Sequence, residues 1–309
     1  MKKNRRQFLM AASASVAVLG LHRESELTAA PGAGVKIGMC DWNLGPQCDP
    51  GQIPKAKEAS LDGIQVSVGK DPSNIPLRKK EVRENYIRLG KQHGISFCSV
   101  AAGLMNQIPL KSEPEAAVYV IDALEAAASL GAKNILMAFF GKGDLRQAVG
   151  PEQYKNIGTG PFKEYELDHS GVDRVVAALK QIAPRAESLG VALGFENTLT
   201  AKQNLEIMDR VNSKMFQVYY DVGNSTAYGY DVPTELRLLG KDRICQIHLK
   251  DWKTTLLGSA EGQVNFQAVA QATKEIGYDQ WFVLETSGRK GHFVEDTRTN
   301  VTFARRLLG

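Results

Sequence analysis

Eight short apolar runs, spaced so that a helix-length segment fits between neighbours, constrain this chain more than any other feature. They are VKIGMC (35–40), GIQVSV (63–68), ISFCSV (95–100), NILMAFF (134–140), VALGFE (191–196), FQVYYD (216–221), ICQIHL (244–249) and WFVLET (281–286). Each is continuously apolar rather than alternating, as parallel strands covered on both faces should be. Between them apolar residues recur three and four apart. AAVYVIDALEAAASLGA (116–132) places Gly131 at a helix C-cap, VDRVVAALKQIAPRAESLG (172–190) does so with Gly190, and FQAVAQATKEIGY (266–278) repeats the design. A helix that ends in glycine and runs into a strand, repeated down the chain, predicts an α/β protein built as a single-domain (β/α)8 TIM barrel. An open dinucleotide-binding sheet would want G-x-G-x-x-G after the first strand, and GMCDWNLG does not supply it.

The first thirty residues obey a different logic. MKKNRRQFLMAASASVAVLGL opens with Lys2, Lys3, Arg5 and Arg6, continues apolar from Phe8 to Leu21, and is followed by the small residues Thr28, Ala29 and Ala30. That pattern predicts a signal peptide over 1–30, too short for a membrane span, with a barrel domain over 31–309. Arg5 and Arg6 followed by Gln7, Phe8 and Leu9 resemble the twin-arginine motif of bacterial export, so the expected location is periplasmic or secreted, reached through the export machinery. The leader holds five Lys/Arg and two Glu, which leaves 33 basic against 32 acidic side chains in the rest. No basic stripe remains to neutralise phosphates, and nucleic acid is excluded as a partner. Cys40, Cys98 and Cys245 lie inside apolar runs and read as small buried hydrophobes; with Cys48 they match no zinc spacing.

Chemistry in such barrels gathers where strands end at their C-terminal tips. Strand five ends at Glu196-Asn197, strand six at Asp221, strand seven at His248 and strand eight at Glu285, spaced 25, 27 and 37 residues apart. One such residue alone would read as a loop cap or a lysine partner. Four consecutive strands delivering ligand types to one rim point to a cation, because converging carboxylates without one would repel and lose their charge. Three carboxylates plus an imidazole suit one divalent ion, Mn2+, Mg2+, Co2+ or Zn2+. Lys250, two residues past His248, is expected on the same side, either stabilising an oxyanion or neutralising the carboxylates. Asp41 and Trp42 after strand one, Gln65 after strand two, Asn106 after strand three and Asn197 beside Glu196 are candidates for a substrate pocket, with Trp42 stacking on a ring face. Segment 141–170 exceeds an ordinary loop and is expected to form a lid or to mediate assembly into a homo-oligomer.

GFEN, YYDVGN, HLKD and VLET, in that order on strands five to eight, resemble the xylose isomerase-like TIM-barrel superfamily, nearest to its sugar phosphate isomerase/epimerase branch. LGSAEGQVNF (257–266) is similar to that branch's glycine-containing loop before strand eight. The resemblance implies one divalent cation held by Glu196, Asp221, His248 and Glu285. It also implies that Glu196 and Glu285 act as acid and base on opposite faces of a carbohydrate, passing a proton at a carbon beside the carbonyl. Two departures change the expected substrate contacts. Asn224 stands where ketose epimerases carry a histidine, and Trp252, Lys253 and Thr254 stand where they carry an arginine. The related apurinic endonucleases need further histidines that His22, His93, His169 and His292 are not placed to supply. Three readings of the site follow: a metal-dependent sugar isomerase or epimerase, a lyase or hydrolase of keto-sugars and 3-keto-glycosides, and a non-catalytic carbohydrate-binding protein.

Overall fold

A computed structural model describes residues 34–148 and 165–309. The expectation of a leader over 1–30 and residues 149–164 of the expected lid lie outside the described residues. Eight parallel strands close into a barrel in chain order: β1 (Ile37–Cys40), β2 (Gly63–Ser67), β3 (Ser96–Ala102), β4 (Asn134–Ala138), β5 (Ala192–Glu196), β6 (Phe216–Asp221), β7 (Ile244–Leu249) and β8 (Phe282–Leu284). The last strand returns to the first, with Ile37 level with Phe282. Every strand anticipated from the apolar runs is present. Strand seven runs one residue past His248, and Glu285 falls one residue past the end of β8, both shifts within the usual uncertainty of strand ends.

Each strand is followed by a helix that covers it: α1 (Ile53–Glu58), α2 (Lys80–His93), α3 (Ala116–Leu130), α4 (His169–Leu189), α5 (Ala201–Val211), α6 (Val232–Leu239), α7 (Phe266–Glu275) and α8 (Phe293–Leu308). The glycine stops act as read. Gly131 and Gly190 take φ of 77° and 63°, the left-handed region that lets the chain turn off α3 and α4 into the next strand. At the other end, α5 opens on a capping box in which Thr200 and Gln203 satisfy one another's backbone N–H groups. None of the described helices is long and apolar enough to cross a membrane.

Strand alternation divides the core. Ile37, Met39, Ile64, Val66, Leu193 and Phe195 pack outward under the helices, whereas Cys40, Cys98, Ala101, Leu136, Ala138, Tyr219 and Cys245 fill the barrel interior. The interior is tight: a Cβ on Gly194 would lie 2.3 Å from the Ile135 carbonyl and 3.0 Å from the Tyr219 ring, so glycine there makes room for that tyrosine. Beyond β4 a short antiparallel ribbon pairs Arg146–Ala148 with Tyr165–Leu167, inside the segment expected to be a lid.

One irregularity positions the site. Between β6 and β7, Val218 is level with Ile244 but Tyr219 with Gln246, a one-residue shift that leaves Asp221 opposite His248. Without that bulge the imidazole would fall out of line with the carboxylate.

Candidate metal centre

The four residues at the strand tips converge. Glu196, Asp221, His248 and Glu285 each offer a ligand atom within 4.8 Å of the others, and no other such group of three or more occurs among the described residues. His248 Nδ1 lies 3.2 Å from Glu196 Oε1, 3.7 Å from Asp221 Oδ2 and 3.6 Å from Glu285 Oε2. Lys250 follows the pleat as expected and enters the same space, with Nζ 2.6 Å from Glu285 Oε2 and 3.1 Å from Asp221 Oδ2. Room for its stem comes from Gly223, where a Cβ would sit 2.5 Å from Lys250 Cγ. Asp221 also accepts the Asn224 backbone N–H on Oδ1, capping the short helix Val222–Ala227, while its Oδ2 is buried with no aligned hydrogen-bond donor.

Burial would raise the Asp221 carboxyl, but Lys250, His248 and the Asn224 amide together hold it well below the ordinary range. Glu196 is pushed the other way: burial raises it, and Glu285 and Asp221 add to that against the pull of His248. At His248 burial opposes the charged ring, Cys40 and the carboxylates favour it, and the net direction is well above ordinary imidazole. Burial keeps the Cys40 thiol neutral, so the carboxylates supply that pull. Lys250 is held charged in the same way, against burial, by Asp221, Glu285 and Glu196. An acceptor-rich cage with a buried carboxylate oxygen that accepts no aligned hydrogen bond, and an imidazole nitrogen beside it, fits a divalent ion. With Lys250 charged and three carboxylates ionised, such an ion makes the centre electrically neutral.

The cage floors a cavity of about 710 Å³ walled by Trp42, Asn106, Phe140, Asn224, Tyr228 and Trp252, among others. Trp42, Asn106 and Asn224 thus stand where a substrate pocket was expected. Trp42 meets the site by its edge, donating Nε1–H to Glu285 Oε1 at 3.3 Å, and Asn106 Oδ1 is taken by the Phe140 amide. Three other candidates are corrected. Asn197 points away from the cavity, its side chain engaged with Asn204, Phe195 and Leu199, because the residue after an inward strand-end position faces the opposite side. Asp41 is buried as a loop staple that accepts N–H groups from Cys48 and Ser67 and the Ser67 hydroxyl. Gln65 does face inward, but one layer below the cavity, against His248. Asp251, the end of the HLKD motif, anchors the following loop by accepting from Lys253, Gln263 and Val264. The described histidines outside the cage lie away from it, His93 at the end of α2, His169 at the start of α4 and His292 beside Glu295, and His22 lies outside the described residues.

If Glu196 and His248 hold protons that a cation must displace, cation affinity rises with pH, by up to about tenfold per pH unit for each proton released. The stability sign agrees. Both groups have folded values raised above the unfolded ones, so their contribution to the cation-free protein is complete below the unfolded values and is lost as pH rises through the folded ones. The melting-temperature increment produced by Mn2+ should therefore grow between pH 5.5 and 8.5. An increment that stays flat across that range would contradict this assignment of protons.

Comparison with known proteins agrees with the fold. At 27% identity over 281 residues, 88% of this chain and 94% of the relative, it is similar to a 2-epi-5-epi-valiolone 7-phosphate 2-epimerase of Actinoplanes. Among solved structures it superposes on D-psicose 3-epimerase of Clostridium cellulolyticum with a TM-score of 0.70 at 16% identity, covering 89% of this chain and 99% of that one. It superposes also on the IolI protein with a bound zinc atom, with a TM-score of 0.66 at 16% identity over 89% and 98%. A family model described as xylose isomerase-like TIM barrel matches residues 53–307, nearly the whole barrel. With every barrel strand and the four-residue cage in place, the chain belongs to the xylose isomerase-like TIM barrel family.

Proposed function

We propose that the protein is a divalent-metal-dependent sugar isomerase or epimerase that moves a proton on a carbon beside a carbonyl. The observation that carries this is the convergence of Glu196, Asp221, His248 and Glu285 on one point at the floor of the cavity. The relative at 27% identity is an epimerase, which supports the reaction class. Glu196, Asp221, His248 and Glu285 would hold the ion, which when bound would polarise the substrate carbonyl and acidify the neighbouring C–H. Glu196 and Glu285, on separate strands, then serve as base and acid on two faces of the carbon, through an enediolate. Their surroundings differ as such a division requires: Glu196 is enclosed against His248, whereas Glu285 is partly open and takes hydrogen bonds from Lys250 and Trp42. Asn224, Trp42 and Asn106 line the space where sugar hydroxyls would lie.

A second reading, loss of a leaving group from a keto-sugar or 3-keto-glycoside at the same site, is favoured by the size of the cavity, which exceeds one sugar ring, and by the exposed Trp252 at its rim. Metal analysis of the purified protein and incubation with a carbohydrate panel in D2O separate the readings. Deuterium at one stereocentre with a new stereoisomer supports the epimerase, and release of an aglycone supports the lyase. Metal-dependent sugar binding without either product would leave only the binding protein. From Arg5 and Arg6 and the apolar run behind them we further propose export from a bacterial cytoplasm, which cell fractionation checks.

A further inference from the structure

Beneath the cage lies a buried polar relay that none of the site chemistry above has used. Gln65 is completely enclosed, and its two amide ends face different partners. Oε1 lies 3.0 Å from His248 Nε2 and 3.1 Å from Cys40 Sγ, while Nε2 lies 2.8 Å from the Tyr219 hydroxyl. Burial holds both that phenol and the thiol in their protonated forms. In the arrangement seen, the amide NH2 donates to the phenol oxygen and the thiol donates to Oε1, which turns the amide oxygen toward His248. Tyr219 is itself held by its packing against Gly194 and by Ser99 Oγ at 3.4 Å.

An amide oxygen can only accept, so the ring nitrogen facing it carries a hydrogen. In the neutral imidazole this places the hydrogen on Nε2 and leaves Nδ1 bare toward Glu196, Asp221 and Glu285. We propose that Gln65 is a positioning residue for the metal centre: it selects the tautomer and ring orientation of His248 that expose Nδ1 as a ligand. Ligating histidines commonly need such a partner on their second nitrogen, and its loss commonly costs 10- to 100-fold in metal affinity. Gln65 does not line the cavity, so the effect reaches substrate only through His248.

This inference rests on the metal reading of the cage, and the experiment keeps the two apart. Zn2+ affinity is measured by calorimetry on the full chain as wild type, Gln65→Leu and Gln65→Glu, with substrate KM taken at saturating metal. Gln65→Leu should weaken Zn2+ binding about 10- to 100-fold with KM little changed, and Gln65→Glu, which keeps the acceptor, should restore most of it. A Leu variant that binds Zn2+ within twofold of wild type, or a Glu variant as poor as Leu, overturns the proposal. So does a KM that rises while affinity holds, since that would make Gln65 a substrate contact. Wild type binding no Zn2+ would instead sink the metal reading. Nitrogen-15 spectra of wild-type His248, at a pH where the ring is neutral, decide the tautomer without any variant: Nε2–H is expected, and Nδ1–H overturns the assignment.

Discussion

Glu285→Gln is expected to lower kcat by about 10³-fold while the barrel stays folded. The substitution keeps the volume and one acceptor oxygen, enough for either Lys250 or Trp42 but not both, and it removes the charge and the basicity. Both matter at this position, because the carboxylate is at once one of four candidate ligands and one of two candidate proton carriers. Stability should change little. The Glu285 backbone N–H is bonded to the Leu249 carbonyl whatever the side chain, and the side chain is partly exposed rather than part of the core. The pair of measurements is kcat and melting temperature at saturating Mn2+. A variant that keeps more than a tenth of wild-type turnover would remove Glu285 from the proton path. A melting temperature that collapses would mean the lost rate reports on folding instead.

The strands and the four cage residues were legible in the sequence for one reason: a parallel strand buried on both faces is apolar throughout, so a charged residue that closes it stands out. Glu196, Asp221, His248 and Glu285 are such residues, and the structure brings them together. Side and depth were not legible. Asn197 adjoins Glu196 in sequence, yet the reversal of facing along the chain turns it to Asn204. Gln65 shares the inward face with the cage residues, but the stagger of strands around the barrel sets it one layer lower, against the His248 ring. A glutamine in the middle of GIQVSV was the available signal, since an uncharged polar group at an otherwise apolar, enclosed position needs a buried partner. The bulge that aligns Asp221 with His248 has no counterpart in the residue pattern at all.

Lys250→Met should separate the two roles open to that lysine. Its ammonium is nearly buried, within 3.1 Å of Asp221 and 2.6 Å of Glu285, and the methionine side chain fills similar space without charge. Without a cation present, the variant leaves the Asp221 and Glu285 carboxylates beside Glu196 with only His248 to offset them. Breaking a buried pair in this way costs about 3–5 kcal/mol, and for a domain of this size that is roughly a 10 °C fall in melting temperature. Mn2+ supplies the missing charge, so the variant should recover most of the loss on metal addition and gain more from the metal than wild type does. The sign of that difference is diagnostic. A lysine that served only a developing oxyanion would leave the metal-free melting temperature unchanged and lower kcat at saturating metal. A lysine that serves as the resident counter-ion does the reverse, and the centre then passes between two charge-compensated states, one closed by the ammonium with protons on Glu196 and His248 and one by the ammonium with a divalent ion in place of those protons.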